Sequence, residues 1–248
     1  MIRAVTFDFW QTLVDDTPEN LAAQQRLRLE ALRAALAGAG MPLDPAAVEA
    51  GYERSQQVLD ARFWSQHRDP TFPEQVRIVL ECVAPGAAAR VTGGALEDLQ
   101  RGYAEPVLRF PPALCPGAGE AVRELAARGL LLGIVSNTGR TPGMVLRRFL
   151  EGHDLLRYFR AVTYSDEIGR RKPDGEIFRR TLAKLGPEAG GVPAEVAHIG
   201  DSPEADVAGA RGMGIRAVHY AAGGRTPSPL ADLVVTDLAE LPDRLRAL

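Results

Sequence analysis

The chain has 248 residues, 46% hydrophobic and 25% charged, which at about 100–200 residues per domain means one large domain or a core with an insertion. That composition excludes a disordered segment and a disulfide-stapled miniature. Lys+Arg 29 against Asp+Glu 32 leaves a formal charge of −3, with no basic stripe of the kind that grips nucleic acid.

Residues 2 to 9 are rich in Ile, Val, Phe and Thr and end near Asp8, as a buried parallel strand would. From about Pro18 the pattern turns helical, with Leu21, Leu27, Ala31, Leu32 and Leu36 on one face, and it breaks from Gly38 to Pro45. Further helices are predicted over 46–61, 73–83 and 93–108. After Pro116-Gly117 helix and strand alternate: helix 117–128, strand 130–135 closed by Ser136-Asn137-Thr138, helix 142–151, strand 161–164, helix 174–185, strand 196–200, helix 203–213, and strands near 215–219 and 232–235. Such alternation builds an α/β fold, a Rossmann-like parallel sheet with helices on both faces. An all-helical insertion follows its first strand, so the expected domains are a core of residues 1–15 and 109–248 and a helical domain of residues 16–108. The Gly/Pro-rich stretch 221–229 reads as a surface loop.

Cys82 and Cys115 stand alone, without the companion Cys or His of a zinc site, and read as reduced thiols of a cytoplasmic protein. No signal-peptide pattern follows Met1 and no stretch of about eighteen apolar residues suggests a membrane span. Only Lys172 and Lys184 are lysines. The pairs Arg147-Arg148 and Arg179-Arg180 read as exposed helix faces.

Polar groups fall at the predicted strand ends: Asp8, Ser136-Asn137, Lys172 before a helix, and Asp201 with Asp206. The carboxyl ends of parallel strands face one crevice, so these residues are expected to meet there. Three carboxylates in one place need a cation, and hard oxygen ligands point to Mg²⁺. Asp8 would attack an electrophile carrying negative charge, Lys172 and Mg²⁺ would neutralise that charge, and Ser136 or nearby amides would bind the transferred oxygens. Phosphoryl transfer through an aspartyl-phosphate suits such a site.

The segments Phe7-Asp8-Phe9-Trp10-Gln11-Thr12-Leu13, Val135-Ser136-Asn137-Thr138, Arg171-Lys172-Pro173-Asp174 with Ile177-Phe178, and His198-Ile199-Gly200-Asp201-Ser202-Pro203-Glu204-Ala205-Asp206 resemble, in order, the four motifs of the haloacid dehalogenase superfamily of hydrolases. The helical insertion resembles that family's C1-type cap. The resemblance implies Asp8 as nucleophile, Ser136, Asn137 and Lys172 as catalytic groups, and a metal site of Asp8, Asp201, Asp206 and the Trp10 carbonyl.

Phosphatases of this family carry a second Asp two residues after the nucleophile, which protonates the leaving alcohol; here that residue is Trp10, and the usual Gly after it is Gln11. An indole exchanges no proton, and acid–base assistance contributes about 10²- to 10⁴-fold. Activated phosphates are therefore the expected substrates, unless Asp15, Asp16 or a cap residue takes over. An aromatic at this position is also what the family's dehalogenases have, so 2-haloacid dehalogenation through an ester on Asp8 is the rival activity, although the Asp201/Asp206 pair resembles a Mg²⁺ site. The phosphonatase branch needs a cap lysine, and none is present. A third possibility is a degenerate member that binds a phosphorylated ligand or partner without turnover. Thr12, and in the cap Arg62, Phe63, Trp64, His67 and Arg68, are candidates for recognising a small anionic substrate. Nucleic acid and membrane are not expected partners, and a monomer or homodimer is the expected state.

Overall fold

The computed structural model describes residues 1–186 and 192–248. Six parallel strands form one sheet: β1 (Ala4–Phe7), β4 (Leu131–Ser136), β5 (Phe159–Tyr164), β6 (Val196–Gly200), β7 (Arg216–Tyr220) and β8 (Leu233–Val235), in the order β5-β4-β1-β6-β7-β8. β1 lies at the centre, with Phe7 level with Ile134 of β4 and with Ile199 of β6. The residues after Phe7, Val135 and Ile199 therefore emerge side by side at one end of the sheet, where parallel α/β proteins carry their sites.

Alternate side chains serve opposite faces. Val5 and Phe7 pack with α7 (Ala118–Ala127), α8 (Gly143–Gly152) and the C-terminal turns, while Ala4 packs with α10 (Gly175–Leu185) and α11 (Gly209–Gly212). The helical segments run from α1 (Pro18–Gly38) through α2 (Pro45–Arg62), α3 (Phe72–Val83), the short α4 (Ala87–Arg90) and α5 (Gly93–Ala104) to α6 (Pro106–Arg109). They have a hydrophobic cluster of their own, in which Leu32, Leu36, Val48, Val76, Val79, Leu80, Leu99 and Tyr103 are buried. The chain leaves for this block and returns through a two-residue antiparallel ladder, β2 (Val14–Asp15) with β3 (Ala113–Leu114).

Some boundaries differ from expectation. The first strand is confined to Ala4–Phe7, but the Asp8 amide continues its ladder by donating to the Ile199 carbonyl at 2.8 Å. The helix expected over 93–108 breaks at Glu105, because Pro106 has no N–H to continue it. The strand expected over 161–164 begins at Phe159. The helix expected over 203–213 opens as a wide π turn over Pro203–Ala208 before the α-helical Gly209–Gly212. The β2–β3 ladder was not foreseen, since its two strands lie about a hundred residues apart and are two residues long. The stretch 221–229 is not purely a surface loop: Ser228 is buried and its amide donates to His219 Nδ1 at 3.0 Å. Both cysteines are free, Cys115 buried and Cys82 half-buried. No helix among the described residues is long and apolar enough to cross a membrane.

Candidate active site

Asp8, Asp201 and Asp206 each present a carboxylate oxygen within 4.8 Å of the others. Lys172, from the loop before α10, reaches in between them and donates from Nζ to Asp8 Oδ1 and to Asp206 Oδ1, both at 2.6 Å. Its side chain is 2% exposed. Asp206 can enter this space because residue 200 is glycine: a Cβ there would lie 2.1 Å from Asp206 Cγ. The wide turn after Ser202 carries Asp206 inward; Ser202 caps that turn by accepting from the Ala205 amide at 3.1 Å, and its own amide donates to Asp206 Oδ2 at 3.0 Å. His198, two positions before the end of β6, is held at 3.0 Å from Asp206 Oδ1 through Nε2 and at 2.9 Å from Thr6 Oγ1 through Nδ1. Burial lowers its pKa, so the ring is neutral; a Thr6 hydroxyl donating to Nδ1 leaves Nε2–H to donate to Asp206.

The electrostatics are unbalanced. Three carboxylates face one ammonium. Burial raises the pKa of Asp8 although Lys172 opposes it, and burial with the nearby charges of Asp8 and Asp206 pushes Asp201 up to about 7. Burial would raise Asp206 too, but the Lys172 charge and the His198 hydrogen bond hold it below the usual carboxylate range. Burial works against the charge of Lys172, yet the two carboxylates win and raise its pKa. With the Arg225 guanidinium 3.7 Å from Asp201 counted beside Lys172, full ionisation still leaves one excess negative charge, and an all-oxygen cluster with excess negative charge is the donor set of a hard divalent cation. Among the described residues the Trp10 carbonyl accepts no hydrogen bond, which leaves it free as a further oxygen ligand.

Ser136, at the end of β4, and Thr12, in the turn after β1, are buried with hydroxyls that have no partner. Asn137 has a different part: its Oδ1 accepts from the Lys172 amide at 2.7 Å and its Nδ2 donates to the Lys172 carbonyl at 3.1 Å, so it braces the lysine's backbone. Trp10 packs edge-on against Phe9 at 5.0 Å. Gln11 adopts φ 58°, the left-handed conformation that suits glycine, and its Oε1 accepts from Arg225 Nη2 at 3.0 Å. Arg225 also lies 3.7 Å from Asp201, so the 221–229 loop contributes to the site.

A 360 Å³ cavity opens over Trp10 and Asn137, between α1 and the loop after β4, with Arg28, Arg140, Arg171 and Asp16 among its walls. Another cavity, of 740 Å³, lies near both chain termini; neither cavity is lined by Asp8, Asp201 or Asp206. Arg62, Trp64 and His67 do not line the 360 Å³ cavity. Arg62 is exposed with its guanidinium 5.6 Å from the Phe63 ring, Arg68 stands on that ring too at 6.0 Å, Trp64 donates from Nε1 to Asp69 Oδ1 at 2.9 Å, and the His67 carbonyl accepts from the Arg171 amide at 2.9 Å. Sequence reasoning missed Arg28, Arg140, Asp69, His198 and Arg225 as contributors. Of these only His198 carried a signal, its place in the strand just before Asp201.

The family described as haloacid dehalogenase-like hydrolase matches residues 2–214. A phosphoglycolate phosphatase of Rhodospirillum rubrum is 31% identical over 249 residues, covering 99% of this chain and 91% of that protein. A phosphoserine phosphatase of Thermus thermophilus is 37% identical over 159 residues, covering 62% of this chain and 60% of that one. The chain thus spans about three fifths of the Thermus relative's length. The fold is similar to a 2-haloacid dehalogenase of Pseudomonas syringae, with a TM-score of 0.71 at 24% identity, covering 100% of this chain and 99% of the other.

Proposed function

Because the chain belongs to the haloacid dehalogenase-like hydrolases, we propose that this hydrolase is a Mg²⁺-dependent phosphatase of small anionic phosphate esters, with Asp8 as nucleophile, residues 1–15 and 109–248 as catalytic core, and residues 16–108 as a cap. The observation that carries the reading is the charge excess of Asp8, Asp201 and Asp206 over Lys172. Asp8, Asp201, Asp206 and the Trp10 carbonyl would hold Mg²⁺, which when bound supplies positive charge to the phosphoryl oxygens and to the carboxylates. Asp8 attacks phosphorus and the P–O bond to the substrate's remaining part breaks, that part leaving as an alkoxide, phenoxide or carboxylate that takes its proton from solvent; Lys172 orients the Asp8 carboxylate and stabilises the charge on the transferred group; the unpartnered hydroxyl of Ser136 is available to that group's oxygens. Hydrolysis of the aspartyl-phosphate then returns Asp8 and releases phosphate.

Arg28 suits an anionic substrate by its donors left free among the described residues, and Arg140, whose terminal nitrogens are engaged by Ser55, Tyr103, Gln56 and Tyr52, adds positive charge to the same wall. Neither has a carboxylate partner within ion-pair distance among the described residues, and both line the cavity over Trp10. Relatives named phosphoserine and phosphoglycolate phosphatase support the reaction class. At the position where phosphatases of this family carry their acid, Trp10 has no proton to give, so acyl and aryl phosphates should turn over faster than alkyl esters, by up to about 10²- to 10⁴-fold. Asp15 and Asp16 line the same cavity and are candidates for a substitute acid.

The same Trp10 favours a second reading, 2-haloacid dehalogenation, in which the leaving halide needs no proton. A third is ligand binding without turnover. One assay separates them: p-nitrophenyl phosphate and acetyl phosphate with Mg²⁺ or EDTA, chloroacetate as the halide substrate, and Asp8→Asn as the blank. Phosphate release that needs both Mg²⁺ and Asp8 is the expected outcome. Chloride release without metal would make the protein a dehalogenase, and silence on all three would favour the binding role.

A further inference from the structure

The loop between α2 and α3 reaches down onto the sheet domain and carries a carboxylate with it. Asp69 is 5% exposed. Its Oδ2 accepts from Ser165 Oγ at 2.5 Å, Arg171 Nη1 at 2.7 Å and Thr138 Oγ1 at 3.3 Å, all on the far side of the interface, while Oδ1 accepts from Trp64 Nε1 in its own loop at 2.9 Å. The loop backbone adds two bonds, Asp69 N–H to the Gly169 carbonyl at 3.3 Å and Arg171 N–H to the His67 carbonyl at 2.9 Å. Arg171 also donates to the Thr138 carbonyl and lies over the Trp64 ring at 5.1 Å, and Ser165 Oγ accepts from the Thr138 amide at 2.7 Å.

The partners are not scattered. Thr138 follows Asn137, and Arg171 precedes Lys172, whose backbone Asn137 brackets on both sides. One carboxylate of the helical block thus ties together the two loops that carry Ser136 and Lys172. The other polar contacts between the block and the loop after β4, Gln75 to the Gly139 carbonyl at 2.9 Å, Arg28 to Thr141 Oγ1 at 3.0 Å and Arg140 to Ser55, Tyr103, Gln56 and the Tyr52 carbonyl, involve only that loop and not the Lys172 segment. A buried ion pair that loses one member leaves the other uncompensated, so Arg171 without Asp69 must rearrange.

We propose that Asp69 is a positioning residue: seated against the core, it fixes Arg171 and Thr138, and through them the backbones of Lys172 and Asn137, so that the Lys172 ammonium meets Asp8 only while this cap loop is docked. The inference rests on the roles of Asp8 and Lys172 in the proposed phosphatase reaction. It connects binding of the cap over a substrate to assembly of the charge that the reaction needs.

The test uses a property of this sequence: Lys172 is buried, Lys184 is exposed, and there are no other lysines. Brief acetylation of the folded protein, read by mass spectrometry, gives the reactivity of Lys172 with Lys184 as internal reference. It is combined with kcat and KM for p-nitrophenyl phosphate in Mg²⁺, measured well below each variant's melting temperature. Asp69→Asn is expected to raise the Lys172:Lys184 labelling ratio about fivefold and to lower kcat about tenfold, the loss of one charge-assisted hydrogen bond, with KM changed less than threefold. Asp69→Glu, which keeps the charge, should recover part of both. A folded Asp69→Asn variant with an unchanged labelling ratio overturns the proposal, whatever its melting temperature, because a purely adhesive role would change stability alone. If Asp69→Asn does not fold, Ser165→Ala removes one donor from the same oxygen and is judged by the same ratio. Absence of wild-type phosphate release would refute the phosphatase reading, and the labelling ratio would still decide on Asp69.

Discussion

With one ammonium among three carboxylates, protons and a divalent cation compete for the same excess charge. Asp201 shows this most directly, its pKa pushed up to about 7 by burial and by Asp8 and Asp206. The folded protein therefore holds a proton there that the unfolded chain releases near its ordinary value of 3.8. That contribution to stability is complete below about pH 4 and disappears as pH rises through 7. Metal-free protein is accordingly expected to melt at lower temperature at pH 8 than at pH 5.5. Mg²⁺ should raise the melting temperature more at pH 8, and Asp201→Asn should flatten the slope; a scan of melting temperature against pH with and without Mg²⁺ checks all three. Asp206 works in the opposite sense, but its depressed pKa confines that loss to far more acidic solution. At this scale Asp8, Ser136 and Asp201 were legible because each ends or follows an apolar run, Lys172 because it precedes a helix, and Asp206 because it lies just beyond Asp201. Arg28, Arg140 and Asp69 were not, because they sit in helical or irregular segments whose sequence does not say which neighbour they will meet.

At the scale of elements, the strand–turn unit of β6 with residues 201–208 supplies two of the three carboxylates, and its geometry depends on the absence of a side chain at Gly200. In Gly200→Ala the new methyl would collide with Asp206, so the turn must shift. The expected cost is about 1–3 kcal/mol of stability, together with a tenfold or greater loss of Mg²⁺ affinity, read by calorimetric titration; unchanged affinity would show that Asp206 is not needed for the metal. The existence of this helix after β6 was legible from the sequence. Its wide first turn was not, since it follows from Asp206 being drawn towards Lys172 and His198, neither of which is local to it. The break at Glu105 is the reverse case, where Pro106 in the sequence already carried the cause and the helical periodicity concealed it.

At the scale of the whole molecule, the clusters on the two faces of the sheet and the one inside the helical block meet across a boundary that combines a small apolar patch, Ala104 and Val107 with Val145, with several polar contacts. Arg140 crosses it from the loop after β4, donating to Ser55 Oγ at 2.9 Å, Tyr103 OH at 2.7 Å, Gln56 Oε1 at 3.0 Å and the Tyr52 carbonyl at 3.4 Å, with the Tyr52 ring 4.2 Å from its guanidinium. Arg140→Met is expected to cost about 2–4 kcal/mol in denaturant unfolding and to hasten proteolysis between the two parts. Arg28→Met, which removes a buried charge from the cavity wall, should raise KM more for esters whose alcohol part carries a carboxylate than for p-nitrophenyl phosphate, whose leaving group is uncharged in the ester. Equal effects on both substrates would argue that Arg28 only holds the cap in place.

The sequence by itself determined the alternation that makes a parallel sheet, the helical insertion after the first strand, and the set of carboxylates and lysine at the strand ends. These follow from short-range periodicity and from the rule that parallel strands end in one crevice. Only the tertiary structure decided which cap residues face that crevice. Arg62 and His67 looked suited to hold an anion, yet the helical block puts Arg28 on the wall of the cavity over Trp10, opposite Arg140 of the core, and Trp64 is engaged with Asp69 and Arg171. The reason is physical: an amphipathic helix specifies which of its faces is buried, but the rotation and seating of one packed block on another depend on contacts between residues about a hundred positions apart, such as Arg171 with Asp69 and Arg140 with Tyr52.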